Sequence, residues 1–149
     1  MQTLFEPAIV DEIKQRISRL RADSPRQWGT MTPAQMLAHC SAQMEVVLGM
    51  SFPPRTWMGR IFGPLAKSVT LGDKPIRHNM PTDPVFVIRN QPDLDPERDR
   101  LLTYIDCFAR EGREGCTQHP HSFFGRMTSE EWARLLYKHL DHHLRQFGV

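Results

Sequence analysis

Little in this chain points to a disulfide scaffold, a membrane span or a nucleic-acid face. Only three of its 149 residues are cysteines, Cys40, Cys107 and Cys116. An odd number at unrelated spacings excludes a disulfide framework and leaves free thiols. No apolar run is long enough to cross a bilayer, and the opening MQTLFEPAIVDEI lacks the basic-then-apolar pattern of a leader. The chain therefore reads as cytoplasmic, with no membrane partner. Charge of one sign is not in excess either. Nineteen Lys and Arg stand against 17 Asp and Glu, a net of +2, interleaved along the chain. Without a clustered basic face, nucleic acid is not an expected partner. There is no glycine-rich phosphate loop, no G-x-S-x-G elbow and no pair of inward carboxylates, so phosphoryl transfer and serine hydrolysis have no foundation.

What is present suits one soluble domain over residues 1–149. The chain is 40% hydrophobic and 24% charged, ordinary values, and long enough to bury a real core. Eight methionines serve mainly as adaptable core filler. Helical periodicity dominates. Residues 7–21 place Ile9, Ile13, Ile17 and Leu20 on one face. A second helix opens at Thr32, with Pro33 at its first position and Gln35 completing a capping box, and runs to about Leu48 with Met36, Leu37, Cys40, Met44 and Val47 inward. A third main helix opens at Asp95-Pro96, buries Leu101, Ile105 and Phe108, and stops before Gly112. The last covers residues 128–147, with Thr128 and Glu131 in capping-box spacing. Four amphipathic helices of this kind predict an all-α antiparallel four-helix bundle.

Between the second and third main helices lies a long crossover that carries most of the twelve prolines. Residues 57–69 form a weak helix within it, interrupted by Gly59, Gly63 and Pro64. Trp57, Ile61, Phe62 and Leu65 could face a membrane or a partner, but poor sidedness favours packing over one end of the bundle. The apolar run at 85–88 suggests a short edge strand.

The chemistry concentrates in the last helix. His139 and His143 stand one turn apart inside the stripe of Trp132, Leu136, Leu140 and Phe147, while Arg134, Lys138, Asp141 and Arg145 gather opposite. An imidazole turned to the core needs a partner, since an unsatisfied buried polar group costs about 1–3 kcal/mol. Two at i and i+4 are placed to share one metal ion, and the bland reading is a pair of hydrogen-bonded core histidines. His142, at the edge of the stripe, belongs behind the ligands or at the surface. A metal held by two histidines needs a third ligand. The inward faces of the first and third main helices supply none, and the second helix offers His39, which is either that ligand or a boundary residue donating to a carbonyl. Gln43 shares its face and could orient a substrate. Cys116, His119 and His121 resemble half a zinc site with no second half, so they line a pocket mouth or cap the loop; His119 or His121 could act as acid or base. Three imidazoles suit zinc, nickel or iron, and copper as well.

The segments MTPAQMLAHC at 31–40 and HLDHHLRQF at 139–147 resemble the DinB/YfiT-like superfamily of metalloproteins. Within it, the chain is most similar to a branch of uncharacterised bacterial proteins carrying W-G-x-M-T-P-A-Q-M-L-A-H, and Trp28-Gly29-Thr30-Met31 and Phe124-Gly125-Arg126-Met127-Thr128 fit that branch. The likeness spans most of the chain. It implies a four-helix bundle with a long crossover and a divalent metal on His39, His139 and His143. It also implies a small-molecule substrate, a low-molecular-weight thiol as cosubstrate in some relatives, and a homodimer. The function expected is metal-dependent thiol transfer or a related reaction; the alternative is a non-catalytic metal- or ligand-binding module linked to stress.

Overall fold

A computed structural model describes residues 2–149. Five α-helices follow one another: α1 (Pro7–Ser18), α2 (Pro33–Val47), α3 (Trp57–Thr70), α4 (Leu94–Glu111) and α5 (Ser129–Gln146), with short 3-10 turns at Pro84–Phe86 and Gly112–Gly115. Among the described residues there is no strand, and no helix is long and apolar enough to cross a membrane.

Local chemistry explains where the helices begin. Thr32 and Thr128 each accept a bond from the backbone N–H three residues on, and Gln35 and Glu131 return a bond to the capping residue, so both capping boxes form as the spacing predicts. The expected N-cap at Asp95 is displaced: α4 starts at Leu94 after Asp93, and Pro96 is taken into the first turn, where a missing N–H costs no helical bond. α1 ends at Ser18, short of the expected Arg21.

Helices α1, α2, α4 and α5 close on one another, α1 touching α4 and α5, and α2 touching the same two. Their shared interior holds Ile13 and Ile17, Met36 and Met44, Leu101 and Ile105, and Trp132 and Leu136, all essentially without exposure. Each contributes about 1.5–3 kcal/mol by leaving water. Half-buried ions tie the outside. Arg16 of α1 meets Asp141 of α5 at 2.9 Å, and Glu45 of α2 receives Arg100 and the Tyr104 hydroxyl of α4.

The crossover departs twice from expectation. Residues 84–86 form a 3-10 turn instead of an edge strand, because the Asp83 carboxylate caps the Val85 N–H and no neighbouring strand exists to pair with. Helix α3 does not bury its large apolar side chains over the bundle. It lies by its Gly59 and Gly63 edge against the backbone of Phe123, so closely that a Cβ at either glycine would collide with it. Trp57, Ile61, Phe62 and Leu65 consequently point outward and are exposed.

Candidate metal centre

The three histidines singled out from spacing come together. A nitrogen from each of His39, His139 and His143 lies within 4.8 Å of the other two. His39 Nε2 and His139 Nε2 are 3.0 Å apart, and the ring of His143 stands edge-on to both. His39 and His143 are buried, at 4% and 8% exposure.

The other ring nitrogens are held from behind. His39 Nδ1 lies 2.9 Å from the Phe86 carbonyl, which can only accept, so Nδ1 carries the proton. That carbonyl is set by the 3-10 turn, itself anchored by Asp83, which also receives the Ser122 hydroxyl at 2.8 Å. Gln35 adds a second tether. It spends its oxygen on the capping box and its amide N–H₂ on the Asn90 carbonyl at 2.9 Å. On the opposite side, His143 Nδ1 lies 2.9 Å from Gln146 Oε1. The Gln146 amide nitrogen donates to the Trp28 carbonyl at 2.8 Å, which fixes the amide's orientation and leaves its oxygen to accept from His143. Both rings therefore present a bare Nε2 to the centre. Without an ion, the close approach of His39 and His139 needs His139 Nε2–H to donate to His39.

Burial is the leading cause that holds all three imidazoles neutral. It lowers His39 against the opposing hydrogen bond to Phe86, and brings His143 down to about 3 with help from neighbouring His39. His139 keeps part of the residue's surface in solvent, but its ring is enclosed, and burial followed by the adjacent imidazoles puts it well below the usual histidine range. Neutral imidazole is the form that ligates a metal. Two nitrogens sharing a tetrahedral ion at about 2.0–2.1 Å stand roughly 3.3 Å apart, close to the 3.0 Å between His39 Nε2 and His139 Nε2. The donor set of three clustered, neutral imidazoles fits a divalent transition metal, which His39 on α2 and His139 and His143 on α5 could hold.

The remaining candidates lie elsewhere. His142 is half-buried beside the ring of Trp28, which stacks on His78 at 3.7 Å, and stays outside the trio. His119 donates Nε2–H to the Pro53 carbonyl at 2.9 Å, which makes it a loop cap. His121 is buried against Trp132 and Phe124, and its Nδ1 accepts the N–H groups of Phe123 and Phe124. Gln43 sits half-buried one turn beyond His39. Cys116 is buried apart from the histidine trio, and burial raises its thiol, as it does that of Cys40. All three cysteines are free. Sequence reasoning missed Phe86, Gln146 and Trp28. Two of them act through backbone carbonyls, which leave no mark on residue type, but Gln146 three residues after His143 was open to view.

No curated protein and no solved structure matches the chain. A family model does, over residues 6–148, and nothing in that match links the chain to the DinB/YfiT superfamily. The match takes in nearly the whole chain, and the protein belongs to this family, described as "Protein of unknown function (DUF1569)".

Proposed function

We propose that this protein is a metalloprotein whose single divalent transition metal is held by His39, His139 and His143, in one domain with the four-helix bundle architecture of the DinB/YfiT type. The observation that carries the reading is the pair of oriented rings: Phe86 and Gln146 each hold an Nδ1–H, so the Nε2 atoms of His39 and His143 face His139 with nothing left to donate. Bound there, an ion of the zinc, nickel or iron kind supplies Lewis acidity that brings the ionisation of a water or a small thiol toward neutral pH. Three protein ligands would leave room on the ion for that molecule, and the function that follows is metal-dependent chemistry of the thiol-transferase type on a small-molecule substrate. Gln43, one turn beyond His39 on α2, is the candidate to orient the substrate. The setting is a cytoplasmic homodimer.

Elemental analysis of protein purified without an affinity tag tests the reading. We expect one ion per chain, lost in His39→Ala, His139→Ala and His143→Ala and retained in His142→Ala. An ion that survives His143→Ala and leaves in His142→Ala overturns it. Glutathione or cysteine added to the cobalt-substituted protein should produce a sulfur-to-metal charge-transfer band. A spectrum unmoved by any added thiol favours the non-catalytic module.

A further inference from the structure

Apart from Met80, Val85 and Val87, every large apolar side chain that stands exposed among the described residues lies between Met50 and Val69. On α3 they are ordered. Trp57, Met58, Ile61, Phe62, Leu65 and Val69 fall within an arc of about 140° at 100° per residue. Gly59 and Gly63 occupy the arc pressed on Phe123, and Arg60 and Lys67 occupy the third. The helix rests on the fold by backbone contact and turns its bulk outward, with Trp57 69% and Leu65 71% exposed.

The segment that carries this face has charge of one sign. No Asp or Glu occurs between Glu45 and Asp73. Beside α3 lies an open cavity of about 320 Å³ lined by Arg55, Arg60, Lys67 and Arg126. Of these only Lys67 is ion-paired among the described residues, to Glu131 at 2.8 Å. Arg55 spends one nitrogen on the Gly59 carbonyl at 2.8 Å.

We infer that α3 is an interfacial helix that lays its apolar arc into an anionic lipid surface, with lipid phosphates received by Arg55, Arg60 and Arg126. A convex apolar helix flanked by cations and bearing Trp and Phe is built for the boundary between acyl chains and headgroups. A second copy fits the face poorly. A two-fold contact through α3 brings the basic rim of one copy against the same rim of the other, and the carboxylate beside it, Glu131, is already held by Lys67 and the Thr128 N–H. The inference concerns surface contact alone, since no helix among the described residues is long and apolar enough to cross a bilayer.

Sedimentation of the intact protein with vesicles tests the inference. Binding is expected to equal parts phosphatidylcholine and phosphatidylglycerol, absent with phosphatidylcholine alone, and released by salt. Arg60→Ala and Arg126→Ala should each weaken it about fivefold. The double variant Ile61→Asp, Leu65→Asp should abolish it while circular dichroism stays unchanged, since both positions are exposed. Trp57→Ser is the milder variant, expected to weaken binding about tenfold or more. Failure to bind the mixed vesicles at low salt overturns the inference, and so does undiminished binding of both aspartate and serine variants. A dimer that the aspartate pair splits into monomers assigns the face to a second copy instead.

Discussion

Gln146 holds His143 in one orientation: its amide oxygen takes the Nδ1–H at 2.9 Å while its amide nitrogen is committed to the Trp28 carbonyl at 2.8 Å. The glutamine sits three residues after the histidine on the same helix, so the pair is preorganised by α5 itself, and the loop before α2 locks it. Gln146→Leu should leave the fold standing and weaken metal binding by about 10–100-fold, measured by competition with a chelator of known affinity. Equal affinity in the variant would reduce Gln146 to a packing residue.

Gly29 makes that lock possible. Its φ is +77°, and a Cβ there would run into the Gln146 amide nitrogen. Gly29→Ala therefore combines a left-handed backbone with a displaced glutamine. It should cost about 1–3 kcal/mol in chemical denaturation and also loosen the metal. A stability loss with metal affinity untouched would separate the two effects.

Acid should unfold the metal-free protein partly through His121. Burial, ahead of the opposing Asp83 charge, brings this imidazole down to about 4 from an ordinary 6.5, and its Nδ1 accepts two backbone N–H bonds that protonation would break. Because the folded pKa is depressed, the stabilisation is complete above pH 6.5 and drains as pH falls toward 4. It amounts to about 3 kcal/mol over that window, at roughly 1.4 kcal/mol per unit. His121→Gln should flatten the pH dependence of the denaturation midpoint between those limits. A variant as acid-sensitive as the parent would place the titration elsewhere.

Metal retention should fail at low pH for a separate reason. Protons compete with the ion for the same three nitrogens, and the chelator-sensitive part of the melting temperature should disappear as the medium is acidified. Melting curves that coincide with and without chelator at every pH would remove the ion from the protein's stability.

Gly63 tests how α3 is attached. Any side chain at this position meets the Phe123 carbonyl. Gly63→Val should push α3 off the loop at a cost of about 1–3 kcal/mol, the usual cost of overpacking. Proteolysis between Met50 and Val69 should quicken while the α1, α2, α4 and α5 core keeps its hydrogen-exchange protection. Uniform loss of protection would mean that α3 is part of the cooperative core.

The four core helices were legible in the sequence because their apolar stripes, and the capping boxes of α2 and α5, are set by residues three and four apart. Thr32 with Gln35, and Thr128 with Glu131, form as spaced. The meeting of His139 with His143 followed from one helical turn. Tertiary structure decided what no local period encodes. It brought His39 from α2 to within 3.0 Å of His139 on α5, one hundred residues away in the chain, and placed Phe86 behind it. Phe86 contributes through a carbonyl, a group every residue has, so its role depends on where the crossover lies and not on what it spells. The same holds for α3. Its apolar residues read as packing over one end of the bundle, but Gly59 and Gly63 let the backbone itself make the contact, and the side chains were left facing out.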